Sequence, residues 1–252
     1  MRRSCYRAAV ALDVPSAARS GSAPGAGPIV ARWLGRVDYR EAHALQRTLA
    51  GDRAAGTIGD QLLLLEHPPV LTLGRNADPA HVLALPDELR DRGIEVIRVE
   101  RGGEVTYHGP GQLVAYPILA LSSRGLMIRP LVRALEAALV ATCAAHGVAA
   151  ARRDGHPGCW CEPDGDVPRK IGALGLRVER GVSYHGVALN VTVDLADFGL
   201  IDACGMPGVI STSIAAELGV IDAPPSTASV EHAAGVFAHA LADALGAPLE
   251  GI

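Results

Sequence analysis

Apolar and polar positions along the chain change their period from two to nearly four in successive blocks. Ile29 to Leu34 reads as a strand. Asp38 can cap a helix from Tyr39 to Ala50, on which Ala42, Leu45 and Leu49 share a face. Leu62 to Leu65 is apolar without interruption, the mark of a strand buried on both sides. Pro68-Pro69 breaks it and Val70 to Leu73 resumes. Ile94 to Val99 and Leu113 to Leu119 are further strands. The longest helix is predicted over Pro130 to Ala145, with Leu131, Leu135, Ala138, Leu139 and Thr142 along one side. Arg152 to Pro168, rich in Gly and Pro, reads as a loop. Lys170 to Val178 and Ser183 to Val193 predict a hairpin turning at Glu179-Arg180-Gly181, and Ser229 to Leu245 a final helix. Strands mixed with a few helices, many joined as hairpins, predict an α+β fold with a mixed, largely antiparallel sheet.

Composition sharpens this picture at the start of the chain. Residues 1 to 28 are rich in Ala, Arg, Ser, Gly and Pro. Arg2 and Arg3 imitate the start of a secretion signal, but Ala8 to Leu12 is too short for its apolar core and Asp13 ends it. We expect a disordered extension there, or a start codon assigned too early, and one domain over 29–252. The hydrophobic fraction of 49% is enough for a core. No run approaches the 18 or more apolar residues that cross a membrane. A net charge of −4 gives no reason to expect nucleic acid. A cytoplasmic protein is the expectation. Five cysteines form no disulfide framework. Cys159-Trp160-Cys161, with His156 nearby, lacks a fourth zinc ligand and reads as ordinary loop.

The charged residues carry a sharper signal. Lys170 is the one lysine among 23 lysines and arginines. Arginine serves any exposed site that needs a fixed cation, whereas only lysine can give up its proton near neutral pH. The run Lys170-Ile171-Gly172-Ala173-Leu174-Gly175-Leu176 is a Gly-rich entry into a strand, where backbone can approach a ligand. The densest block is Arg101-Gly102-Gly103-Glu104-Val105-Thr106-Tyr107-His108-Gly109-Pro110-Gly111-Gln112. Its glycines suit a backbone cradle, yet it matches neither a P-loop nor a dinucleotide fingerprint. A tight turn around a packed histidine is the plainer reading. A second triplet, Tyr184-His185-Gly186, precedes Val187-Ala188-Leu189-Asn190 and reads equally as a hydrogen-bonded histidine in a strand. Cys204 sits in Ala203-Cys204-Gly205-Met206-Pro207-Gly208, a loop composition. A free thiol of pKa ~8.5 is only about 3% thiolate at pH 7, and an adjacent ammonium that lowers it by ~2 units makes thiolate the majority form.

Four segments carry a resemblance: Trp33 to Tyr39; Glu66 to Val70 with Thr72 to Arg75; the block from Arg101 to Pro117; and Lys170 to Asn190 followed by Cys204-Gly205. In these the chain resembles the lipoyl(octanoyl) transferases, from about Ile29 to its end. The resemblance implies the biotin/lipoate ligase-like α+β catalytic domain, with no cofactor, metal or nucleotide. It implies that Cys204 carries an acyl thioester and Lys170 lowers its pKa. Arg101 to His108, Ala173 to Gly175 and Gly186 to Ala188 would line the acyl site. The implied donor is octanoyl-acyl carrier protein. The implied acceptors are lipoyl domains of 2-oxoacid dehydrogenase E2 subunits and the glycine cleavage H protein. Nucleic acid and membrane are not implied. Two departures stand out: Ala203 replaces a usual proline, and Cys159 and Cys161 replace apolar residues beside Trp160, an oxidisable pair near the site.

The implied chemistry is consistent. Carrier thioester to enzyme thioester is near thermoneutral, and thioester to amide is downhill. The acceptor lysine, with pKa ~10.4, is only about 0.04% free amine at pH 7, so a base is valuable, and a neutral Lys170 is the candidate. Three rivals remain. An ATP-dependent lipoate ligase on the same fold needs no cysteine. A Cys–His thioesterase would use His108 or His185. A non-catalytic carrier-binding module leaves the lone lysine unexplained.

Overall fold

The computed structural model describes residues 27–202, 208–220 and 226–252. In chain order its elements are β1 (Ile29–Arg36), α1 (Tyr39–Ala54), β2 (Asp60–Glu66), β3 (Val70–Leu73), α2 (Pro86–Asp91), β4 (Glu95–Arg98), β5 (Val105–His108), β6 (Gln112–Ile118) and α3 (Ile128–Ala145). There follow β7 (Ala151–Arg153), β8 (His156–Cys161), β9 (Arg169–Glu179), β10 (Val182–Asn190), β11 (Ile210–Ser211), α4 (Ile214–Glu217), α5 (Thr227–Leu245) and β12 (Leu249–Gly251). The main sheet runs β12-β1-β2-β6-β10-β9-β8-β7, with β11 added beside β9. It is antiparallel from β2 to β7, and parallel where β1 meets β2 and β12 and where β11 meets β9. A smaller sheet, β4-β3-β5, stands apart.

The unbroken leucine run of β2 is explained by cover on both faces. Leu62 and Leu64 pack with Leu135, Leu139, Phe237 and Leu241 of α3 and α5. Leu63 and Leu65 turn the other way, to Ala42 and Leu49 of α1. Asp38 caps α1 as its sequence promised, its carboxylate accepting from the Arg40 N–H at 2.8 Å. Gly246, with φ of 57°, ends α5 in the left-handed turn that glycine adopts without penalty. Among the described residues no helix is long and apolar enough to cross a membrane.

Three expectations need correction. Arg152 to Pro168 is a loop only in its last part, 162–168, where the Gly165 N–H donates to the Glu162 carbonyl at 3.0 Å. Before it, Asp154-Gly155 turns, Gly155 at φ 77°, and β7 and β8 around it form an edge hairpin paired onto β9. The long helix begins two residues before Pro130, since proline is tolerated in a first turn. The Gly-rich block is more than a turn, because Val105–His108 is a strand paired with β3. Of the residues 1–28 expected to be disordered, 1–26 lie outside the described residues, while the Gly27 carbonyl accepts from Arg124 at 2.8 Å.

Candidate active site

The site forms where three segments far apart in sequence are stitched together. The Gly102 N–H donates to the Leu176 carbonyl at 2.9 Å, laying the Gly-rich block over β9. The Arg75 N–H donates to the Arg101 carbonyl at 2.9 Å and ties the same block to the end of β3. Gly175 must lack a side chain, for a Cβ there would stand 2.9 Å from the Gly102 oxygen. β10 completes the wall by pairing Gly186 with Gly175 and Ala188 with Ala173.

A cavity of about 520 Å³ results, within the ~300–1,000 Å³ range of small-molecule sites. Arg101 to Thr106, His108, Ala173 to Gly175 and Gly186 to Ala188 line it, with Lys170. Tyr107, expected with them, does not. Strand alternation turns it to the opposite side of β5 from Thr106 and His108. There its ring packs edge-on against Phe198 and its hydroxyl donates to Asp197 at 2.6 Å. Tyr39 and Tyr116, which lie in the segments that carry the resemblance but were not expected in the site, line the cavity as well, with Ile128 and Val132 of α3, which had no signal in the sequence.

The walls differ in character. Leu174, Leu176, Val187, Ile128 and Val132 are apolar and suit a hydrocarbon chain. Arg101 is buried, its guanidinium donating to the Thr72 carbonyl at 2.7 Å and to the Thr72 hydroxyl at 2.9 Å. Three histidines around this end are held neutral. Burial lowers His67 to about 4, His108 to about 3 and His185 to about 3. His67 is saturated: Nδ1 donates to the Val37 carbonyl at 2.7 Å and Nε2 accepts from the Tyr116 hydroxyl at 2.8 Å. His185 sits at φ 55°, a strained setting for a side-chain-bearing residue, and the Gln46 side chain holds it there by accepting its backbone N–H at 2.8 Å. Its Nε2 is buried without a hydrogen-bond partner, so the expectation of a hydrogen-bonded side chain is corrected.

One cluster invites a metal reading. Ligand atoms of His43, Glu100 and His185 all lie within 4.8 Å of one another. However, the two imidazoles stack with planes 20° apart, so lone pairs in those planes do not converge on a point. Burial would raise the Glu100 carboxyl, but its own backbone N–H and the His43 hydrogen bond bring it down to about 2.

Lys170 is only 7% exposed, and its Nζ lies 5.0 Å from the centre of the Trp160 ring. Trp160 is therefore a wall of the lysine's pocket rather than loop. Cys159 and Cys161 flank it but face the core with Cys143 of α3. The Cys143 hydrogen bond, then burial, raises the Cys159 thiol far above its usual range, and burial pushes Cys161 up to about 12. Both thiols are buried and held in the neutral form, so neither is a ready nucleophile.

Cys204 lies in the segment 203–207, outside the described residues. Its neighbours on either side are well tied. The Asp202 N–H donates to the His81 carbonyl at 2.8 Å, and the His81 ring meets Glu104 of the cavity wall at 3.2 Å. On the far side Ser211 pairs in register with Lys170, and the Thr212 N–H donates to the Lys170 carbonyl at 2.9 Å. Glu217 clamps this return by accepting from Arg169 at 2.8 and 2.9 Å and from the Thr212 hydroxyl at 2.6 Å.

The lipoyl protein ligase A/B catalytic domain family matches residues 38–234. The octanoyltransferase of Acidobacterium capsulatum is 52% identical over 202 residues, which cover 77% of this chain and 81% of that one. That of Chloroflexus aggregans is 48% identical over 193 residues, covering 76% and 85%. Among solved structures, a lipoate-protein ligase A bound with ATP superposes with a TM-score of 0.61 at 16% identity, over 90% of this chain and 88% of that one. The bipartite lipoate protein ligase of Thermoplasma acidophilum gives 0.62 at 16% identity, over 90% and 86%. At such identities these two speak for the fold alone.

Proposed function

The chain belongs to the lipoyl protein ligase A/B catalytic domain family, among the octanoyltransferases, and on that premise we propose the route by which it moves an octanoyl group in protein lipoylation. The donor is the thioester of octanoyl-acyl carrier protein. The Cys204 thiolate attacks its carbonyl, the octanoyl group stays on sulfur, and the carrier leaves as a thiolate that takes the proton of the Lys170 ammonium, leaving that lysine neutral. The ε-amine of a lipoyl-domain lysine then attacks the new thioester. An amide forms, Cys204 leaves as thiolate, and the amine's surplus proton passes to neutral Lys170. The acceptors are the lipoyl domains of 2-oxoacid dehydrogenase E2 subunits and the glycine cleavage H protein, and the reaction is cytoplasmic.

The observation that carries this reading is a cavity with one apolar wall and a single lysine beside it, in a chain half identical to octanoyltransferases. Each methylene of the acyl chain gains roughly 0.8 kcal/mol on leaving water, so an apolar wall favours a hydrocarbon tail. The reading needs no nucleotide, because the acyl group arrives already activated. Intact-mass spectrometry after incubation with octanoyl-carrier protein tests it. One octanoyl group on Cys204, formed without ATP, is expected. An absolute need for ATP would move the chain to the ligases, and an adduct confined to Cys143, Cys159 or Cys161 would remove Cys204 from the reaction.

A further inference from the structure

A buried chain of side-chain amides runs from the cavity to the strand beside Lys170. Asn190 Nδ2 donates to the Thr212 carbonyl at 2.8 Å. Gln112 Nε2 donates to Asn190 Oδ1 at 2.9 Å and to the Tyr107 carbonyl at 3.2 Å. Gln112 Oε1 meets His108 Nδ1 at 2.7 Å. All three side chains are buried.

The direction of this chain is forced. A backbone carbonyl only accepts, so Thr212 fixes the Asn190 amide with its nitrogen outward and its oxygen toward Gln112. Asn190 Oδ1 and the Tyr107 carbonyl then consume both hydrogens of the Gln112 amide. Gln112 Oε1 is left as an acceptor, and His108 Nδ1 must carry the hydrogen it accepts. The ring is neutral, because burial above all lowers it to about 3. Its Nε2 is therefore a bare lone pair, and among the described residues nothing hydrogen-bonds to it. His108 itself lines the cavity.

We infer that His108 Nε2 receives an N–H of the incoming acceptor amine, and that Gln112 and Asn190 are positioning residues that keep that nitrogen unprotonated. The inference rests on the acyl-transfer route above. A thioester has no hydrogen to donate, whereas the attacking amine brings N–H groups to the cavity. An imidazole that binds protons this weakly orients an N–H without taking it, which leaves proton removal to Lys170. One N–H fixed on His108 restrains the orientation of the nitrogen lone pair. The same amide chain holds the Thr212 end of the segment that returns from Cys204 to Lys170. One residue, Asn190, thereby links the amine acceptor to the strand beside the lysine.

Nitrogen-15 NMR of histidine-labelled protein reads the tautomer directly. Wild-type His108 should show the Nδ1–H form, unchanged to pH 5. Gln112→Met should mix the tautomers and slow transfer from acyl-enzyme to a lipoyl domain by about 10- to 100-fold. Acyl loading from the carrier should change by less than about 3-fold, since that half-reaction has no amine. If Gln112→Met does not fold, Asn190→Asp replaces it, keeping the acceptor for Gln112 but losing the donor to Thr212. An Nε2–H form in the wild type overturns the inference. So does equal slowing of both half-reactions, or undiminished transfer with an altered tautomer. A wild-type enzyme that never loads acyl refutes the route and the amine assignment with it, while the tautomer measurement still decides the proton chain.

Discussion

Gly186 crosses Ala115 so closely that a Cβ on residue 186 would stand 2.0 Å from the Ala115 carbonyl oxygen. The Pro117 ring would be 2.7 Å away. β10 and β6 can approach here only because glycine has no side chain. Gly186→Ala must therefore push β10 outward, and with it His185 and Val187 of the cavity wall. Overpacking of this kind costs about 1–3 kcal/mol. At roughly 2–4 °C per kcal/mol for a domain of this size, Tm should fall by several degrees and acyl loading should weaken. Gly199→Ala, with nothing within 4 Å of its Cβ, is the control and should be neutral. Equal stability of the two variants would show that the strands can part at residue 186 without cost.

The neutral histidines make the fold acid-sensitive. His67 titrates at about 4 and His108 and His185 at about 3, against about 6.5 in an unfolded chain. These folded values are depressed, so below pH 6.5 the unfolded chain takes up protons that the folded one refuses. Stability is intact above pH 6.5 and is lost as pH falls toward 4. With three such groups the slope reaches up to about 4 kcal/mol per pH unit. Denaturant unfolding at pH 7.5, 6 and 5 measures it. A stability that stays level to pH 5 would mean these imidazoles are protonated in the fold without penalty.

Legibility in the sequence followed how locally each feature was determined. Leu62 to Leu65, Asp38 and the turn at Glu179-Arg180-Gly181 were readable because burial period, capping and turn chemistry act over a few residues. The lining of the cavity was readable in its Gly-rich parts through the family resemblance. Tyr107 misled because a motif gives its residues in order but not the side of the strand each faces. β7 and β8 were missed because Gly155, Pro157 and Gly158 signal a break, while their strands exist only by pairing with β9. Gln46, which fixes His185 from 139 residues away, and the ring contacts of Tyr39 with His67 and His108 had no local signal at all. Such contacts arise when a helix face meets a sheet, and one sequence does not encode which faces meet.

Away from the cavity, Asp60 anchors the start of the interior strand β2. It is 4% exposed and accepts from Arg53 at 2.5 Å, from Arg124, and from the Ala120 N–H at 2.9 Å. Asp60→Ala would strand two guanidinium groups around a buried gap. Breaking a buried pair in this way costs about 3–5 kcal/mol. Urea denaturation should register that loss while the acyl-loading rate of the protein that remains folded is unchanged. A cost below about 1 kcal/mol would show that water replaces the carboxylate.

The decisive substitution is Lys170→Arg. A lysine that only stabilises a thiolate can be replaced by arginine, which is always charged. A lysine that must accept the amine's proton cannot, because arginine stays protonated below pH ~12. Under the route proposed here the variant should load octanoyl onto Cys204, slowed by the larger group against Trp160, and then fail to pass it on. Acyl-enzyme should accumulate, with transfer to a lipoyl domain reduced by about 100-fold or more, the usual scale of a lost general base. Loading serves as the internal control, since a variant that loads has an intact site. Single-turnover mixing of preloaded enzyme with acceptor separates the two half-reactions. Transfer by the arginine variant at close to the wild-type rate would remove Lys170 as the base. The sole lysine of the chain would then be a fixed charge that arginine could equally have supplied.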